Sequence, residues 1–160
     1  MKIIKCLINI LTTLIITIGG IFLILYICGI TPYVVLSGSM EPTIETGSLC
    51  FINKHSDIKT IKEKDIIAFK MSDGTLVTHR AVEITDEGII TKGDNNEESD
   101  SDVVKESNFV GKNIFWIPKI GYIVKAIQTT KGKIIVITFI ILLFVSGFLF
   151  GEEKKKEKEN

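Results

Sequence analysis

Ser39 stands in the run Ser37-Gly38-Ser39-Met40-Glu41-Pro42-Thr43, and His79 follows it by 40 residues in Thr78-His79-Arg80. The polar stretch that opens with Thr91-Lys92-Gly93-Asp94-Asn95-Asn96 adds Asp94, Asp100 and Asp102. A serine hydroxyl is a weak nucleophile until a neighbouring base removes its proton, and that base must be held in the right tautomer by a third group. Histidine suits the task, with an unperturbed pKa of about 6.5. The chain has 2 histidines. His55 lies between Lys54 and Ser56 in a loop-like stretch, whereas His79 lies in the alternating run Leu76-Val77-Thr78-His79-Arg80-Ala81-Val82, where a strand would fix its direction. His79 is the stronger candidate. The three clusters together suggest a serine nucleophile, a histidine base and an acidic partner, with the aspartates left open.

These residues need a frame, and the middle of the chain supplies strands. Ser48–Asn53, Asp65–Lys70, Thr75–Thr85, Glu87–Thr91 and Phe109–Ile117 are short and rich in Ile, Val, Phe and Thr. Turn signals such as Ser72-Asp73-Gly74 and Asp86-Glu87-Gly88 separate them. A mainly β domain follows, with the acidic segment between Thr91 and Ser107 as a surface loop. Cys50 falls in a strand-like stretch and reads as a core residue, because buried cysteine behaves as a small hydrophobe.

The ends of the chain are different. From Cys6 to Met40 there is no charged side chain, and the apolar part, 6–30, exceeds the roughly 20 residues that span hydrocarbon. A cleaved secretory signal would have a core of only about 7 to 15 residues and a small-residue cleavage site. A second uncharged run covers 134–151, about 27 Å as a helix. It is followed by a charged tail, 152–160, with Lys154, Lys155, Lys156 and Lys158 available to anionic headgroups. The expected organisation is a cytoplasmic N-terminus (1–5), an anchor (6–30), an extracytoplasmic β domain (31–133), a second span (134–151) and a cytoplasmic tail (152–160). Lys2, Lys5 and the tail lysines set that orientation by the positive-inside rule, against Lys125, Lys131 and Lys133, which flank the second span on the other side. Phe115-Trp116-Ile117-Pro118-Lys119-Ile120-Gly121-Tyr122, with Tyr26 and Tyr33, fits either core packing or the headgroup level of a bilayer.

Net charge is zero and no basic stripe is interleaved with aromatics, so nucleic acid is excluded as a partner. A membrane-anchored β domain that only binds or scaffolds would share the anchor and the strands. It would have no reason to set Ser39, His79 and an acidic loop in this order.

Ser-Gly-Ser-Met-Glu-Pro-Thr, Thr-His-Arg and Lys-Gly-Asp-Asn-Asn, in this order after an N-terminal anchor, closely resemble the type I signal peptidases of serine peptidase family S26. The resemblance covers roughly Tyr33 to Asp102. A histidine at position 79 resembles the branch of the endoplasmic reticulum, archaea and some sporulating bacteria, where the common bacterial branch has a lysine. The resemblance implies a small signal-peptidase-like β domain between two transmembrane helices, with Ser39 as nucleophile and His79 as general base. It favours Asp100 as the acidic member, six residues after Asp94, with Asp94 the alternative or a brace and Asp102 as loop charge. The Ser39 backbone N–H would supply one oxyanion donor, and similarity to the lysine branch offers the Ser37 hydroxyl as the other. Gly38 would let substrate backbone approach, Met40 and Pro42 would shape the loop or the pocket wall, and Arg80 would do structural work.

The implied activity is removal of signal peptides from exported preproteins through an acyl-enzyme, after small residues at the first and third positions before the bond. The bound peptide would be extended along a strand edge. The implied partners are signal peptides, the lipid bilayer and the translocation machinery, with no metal and no organic cofactor. A self-cleaving regulatory peptidase would instead want a lysine base and usually a DNA-binding region. The implied place is the plasma membrane, multi-pass, or the endoplasmic reticulum membrane of a eukaryote.

Overall fold

The computed structural model describes residues 2–156; of the side chains, those of residues 2, 144 and 147–156 are not described. Met1 of the expected N-terminus and residues 157–160 of the expected tail lie outside the described residues. Leu25–Lys125 forms one compact unit, and the described residues up to Ile24 and from Ala126 onward form a second, helical one.

The compact unit is built on a six-stranded, wholly antiparallel sheet: β1 (Ile30–Val34), β2 (Leu49–Asn53), β3 (Ile66–Lys70), β4 (Leu76–Thr85), β5 (Gly88–Lys92) and β6 (Phe109–Ile117). The strands lie in the order β1-β2-β6-β3-β4-β5. Successive side chains of a strand point to opposite faces, and β3 has apolar neighbours on both. Ile66 and Ala68 belong to one buried cluster with Met40, Ile44, Cys50 and Ile52. Ile67 and Phe69 belong to another with Ile61, Ala81, Ile89 and Val104. This is why β3 reads as a continuous apolar run rather than an alternating one.

β1 was not expected as a strand. Its sequence, Ile-Thr-Pro-Tyr-Val, continues the uncharged run of the anchor, and Pro32 is a poor ladder residue. A sheet edge tolerates it, because the missing N–H can face away from the neighbour, and β1 is an edge strand. The preceding helix α1 runs from Lys2 to Ile27 and stops at Gly29, whose φ of 74° favours glycine. Cys28 to Ile30 are therefore not part of the helix, although hydropathy continues through them. Of α1, Ile3–Ile27 is long and apolar enough to cross a membrane, with a mean hydropathy of 2.5.

The segment after β6 also differs from expectation. Lys119, at φ 63°, turns the chain into α2 (Ile120–Gln128), and α3 runs over Thr130–Lys156. The stretch read as the end of a β domain thus holds a helix and the first turn of another. Among the described residues, Ile120–Gln128 and Thr130–Leu143 meet the length and apolarity of a span only when taken together. Trp116 and Tyr33 pack against the Met40–Cys50–Ile52 cluster, which is the core alternative for those two. Tyr26 and Tyr122 are exposed.

Candidate active site

Three separate pieces of the compact unit converge at Ser39. The loop that joins β1 to β2 carries Ser39, and its base is pinned where Val35 N–H donates to the Ser48 carbonyl (2.9 Å) and Gly47 N–H donates to the Val35 carbonyl (2.9 Å). Met40 and Ile44 of this loop are fully buried, so apolar burial fixes the loop on either side of Glu41. Glu41 Oε1 accepts from Thr46 N–H and from the Thr46 hydroxyl (3.2 and 2.9 Å). The Thr46 backbone bond, then the hydroxyl bond, hold the Glu41 carboxyl below the usual carboxylate range.

His79 comes from β4, opposite Ile67 of β3, with its ring edge-on to Phe69 at 6.2 Å between centroids. It is 6 % exposed. The ring lies between two oxygens, with Nε2 3.0 Å from Ser39 Oγ and Nδ1 2.7 Å from Asp100 Oδ2. The tautomer with its proton on Nδ1 donates to Asp100 and leaves Nε2 to accept from the Ser39 hydroxyl. Such a chain can take a proton from a serine as its oxygen attacks a carbonyl. Asp100 comes from the loop after β5, and its N–H donates to the Thr91 carbonyl at 2.8 Å.

The chain matches the family described as signal peptidase, peptidase S26, over residues 7–106. It belongs to that family. The signal peptidase I W of Bacillus subtilis is 45% identical over 84 residues, 50% of this chain and 44% of that protein. The signal peptidase complex catalytic subunit SEC11 of Colletotrichum graminicola is 32% identical over 102 residues, 56% of this chain and 59% of that protein. The SEC11 of Lachancea thermotolerans is 30% identical over 134 residues, 74% of this chain and 77% of that protein. The chain thus spans about half the length of the first two of these relatives.

In this S26 member the other two aspartates face elsewhere. Asp94 is clamped by Arg80, whose Nε and Nη2 donate to its two oxygens at 2.7 and 2.6 Å. Arg80 also donates from Nη1 to the Lys64 carbonyl at 2.9 Å. The Arg80 hydrogen bonds hold the Asp94 carboxyl below its ordinary value, and the Asp94 bond raises Arg80. Asp102 accepts from Ser72 N–H at 3.1 Å on an exposed loop. Of the three, Asp100 alone is hydrogen-bonded to His79. His55 is exposed, with its ring over Gly29.

Ser37 Oγ lies 3.3 Å from Ser39 Oγ, so the two serines of the motif are neighbours at the surface of the site. Two contacts were not anticipated from sequence. Asn95 N–H donates to the Ser39 carbonyl at 2.8 Å, which ties the Gly-Asp-Asn turn to the serine loop. A Cβ on Gly93 would stand 2.6 Å from the same carbonyl oxygen, so the turn needs glycine for closeness. The other is Thr91 Oγ1, 2.6 Å from Asp100 Oδ2. The only signal in sequence was the recurrence of small and polar residues in Thr91–Asn96.

A cleft of about 630 Å³ opens beside Ser39 and His79, walled by Tyr33, Val35, Leu36, Ile44, Leu76 and Val77 among others. It lies between the end of β1 and the start of β4. β5 pairs with β4 only from Arg80 onward, and β1 ends the sheet. Backbone donors and acceptors at both margins are thus outside the sheet's own ladders. Among the described residues no cluster of His, Cys, Asp and Glu is arranged to hold a metal ion.

Proposed function

We propose that this chain is a membrane-bound serine endopeptidase that removes signal peptides from exported preproteins. The observation that carries the reading is the continuous hydrogen-bond chain Ser39–His79–Asp100 inside a chain of the signal peptidase family. Ser39 Oγ attacks the scissile carbonyl while His79 Nε2 takes its proton. Asp100 keeps the imidazole oriented and stabilises the imidazolium that forms. The proton then passes to the leaving amine, and water, activated by the same nitrogen, resolves the acyl-enzyme. The Ser39 N–H, with the Ser37 hydroxyl beside it, would meet the oxyanion, each such donor contributing on the order of 10²- to 10³-fold in rate. The chemistry draws on no metal or organic cofactor.

An extended signal-peptide segment would enter the cleft as an added strand along the free margins of β1 and β4. Its small side chains would face walls of Val, Leu and Ile. α1 as an anchor and 134–151 as a second span would keep 31–133 on the extracytoplasmic side, with 1–5 and 152–160 in the cytoplasm. The membrane is the plasma membrane, or that of the endoplasmic reticulum in a eukaryote, and the translocation machinery is a neighbour there. Confinement to one bilayer raises the effective concentration of enzyme and membrane-bound substrate.

A reconstituted preprotein-cleavage assay tests the reading. Ser39→Ala and His79→Ala should each lower cleavage by on the order of 10⁴-fold or more. Processing by either variant at the wild-type rate would sink the mechanism.

A further inference from the structure

Thr91 is the buried polar residue of β5 to which acyl transfer gives no direct task. Its side chain is wholly shielded from solvent, and it stands opposite Ala81, itself part of the Ile67–Phe69–Ile89 cluster. Valine has nearly the same shape and suits a strand at least as well. Packing therefore does not ask for a hydroxyl here. A buried hydroxyl without a partner is costly, so its partner reveals its use. That partner is Asp100 Oδ2, at 2.6 Å, the same oxygen that receives His79 Nδ1–H at 2.7 Å. The main chain repeats the link, since Asp100 N–H donates to the Thr91 carbonyl at 2.8 Å.

Asp100 is thus gripped by one residue at both backbone and side chain. Asp100 comes from a loop, and a loop carboxylate held by one donor alone can turn about its terminal torsion, which is broad in aspartate. Two donors converging on Oδ2, one from a strand core and one from the imidazole, leave a single orientation in which both are satisfied. We propose that Thr91 is a positioning residue of the site: its hydroxyl fixes the Asp100 carboxylate so that Oδ2 stays on His79 Nδ1. The tautomer with Nε2 free for the Ser39 proton is thereby maintained before substrate arrives. The inference rests on the Ser39–His79–Asp100 reading.

The test uses the full chain in detergent micelles with a preprotein substrate, comparing Thr91→Val, Thr91→Ser, Asp100→Asn and the Thr91→Val/Asp100→Asn pair. Thr91→Val should lower kcat by about 10- to 100-fold, the range of a lost hydrogen bond to a charged group, with KM changed by less than about twofold. Thr91→Ser should restore kcat to within about threefold of wild type, and Thr91→Val should cost nothing further in the Asp100→Asn background. A wild-type kcat in Thr91→Val, a serine variant as poor as valine, or an equal loss in the Asp100→Asn background overturns the proposal. So does a valine variant that fails to fold while the serine variant folds, because the bond would then be structural.

A second readout does not need turnover. The proton between His79 Nδ1 and Asp100 should resonate far downfield in Ser39→Ala, shift or broaden when Thr91→Val is added, and return with Thr91→Ser. An unchanged resonance in the valine variant overturns the proposal. If the wild type cleaves no preprotein, the peptidase reading fails, and the resonance still decides whether Thr91 holds Asp100.

Discussion

Asp94 and Asp100 share one acidic loop, and the basic side chain that each faces sets them apart. Asp100 is hydrogen-bonded to the imidazole of His79, the general base in the proposed mechanism, whereas Asp94 meets a guanidinium that stays charged at any working pH. The second pair is bidentate and mostly buried, with side-chain exposures of 27% and 16%, so it acts as a brace. Its pH dependence follows from the direction of the shift. Asp94 is held lower in the folded chain than in the unfolded one. Its contribution is therefore complete above the unfolded value of about 3.9 and is lost as pH falls through the lower folded value. Asp94→Asn should lose about 1–3 kcal/mol of stability at pH 7, and the gap to wild type should close as the medium is acidified below about pH 4. Denaturant melts of both proteins at a series of pH values check this. A gap that persists unchanged at pH 3 would mean that the ion pair is not what Asp94 supplies. Asp100→Asn should instead leave the melt nearly unchanged and lower cleavage by on the order of 10⁴-fold.

At the scale of elements, the site depends on how closely the Gly93–Asn95 turn approaches the β1–β2 loop. Gly93→Ala puts a methyl group 2.6 Å from the Ser39 carbonyl oxygen and 2.8 Å from Asn96 Nδ2. Backbone must move, and Ser39 moves with it. Cleavage should fall by about 10- to 100-fold, because a displacement of order 1 Å at the reacting group is enough for that. Gly74→Ala is the control: Gly74 has φ 84° but nothing within 4 Å, so its alanine should lower stability by about 1–2 kcal/mol and leave kcat alone. Equal kinetic effects from the two alanines would remove the steric argument. The same contrast explains what could be read beforehand. β2 to β6 fall within one residue of their expected bounds at each end, since alternation and turn residues are local signals. β1 was hidden by a hydropathy run that crosses it, and α2 by Pro118 and an aromatic cluster that resembles loop as much as helix. The order of the motifs pointed to Ser39 and His79, the family resemblance favoured Asp100, and the structure brings these three side chains together. The contacts of Thr91 and Asn95 were not legible in sequence, because they exist only once segments 9 and 56 residues apart have closed on one another.

The whole molecule poses a question of sidedness. Lys2 and Lys5 argue that the N-terminus is cytoplasmic, while Lys125, Lys131 and Lys133 lie just before the second uncharged run and pull the other way. The rule counts lysines near short loops most strongly, and about a hundred residues separate the two runs, so the N-terminal pair should prevail. Lys59 is exposed in the middle of the short 3₁₀ turn Ile58–Thr60, and it offers a reporter far in sequence from both runs. With Cys6 and Cys28 changed to serine, Lys59→Cys leaves one other thiol, Cys50. Burial shields that thiol completely and pushes its pKa up to about 11, so thiolate is scarce there and alkylation should not occur while the chain is folded. In intact cells a membrane-impermeant maleimide should therefore label the Lys59→Cys protein and not its parent. An epitope appended after Asn160 should stay hidden from antibody until the membrane is opened. Labelling only after permeabilisation would reverse the orientation. An epitope accessible in intact cells together with a labelled cysteine would remove the second crossing, and residues 134–151 would then lie on the same side of the membrane as the site. The measurement thus separates the two halves of the topology, because the lysines before the first run and those before the second make opposite predictions for where residue 59 and the C-terminus should lie.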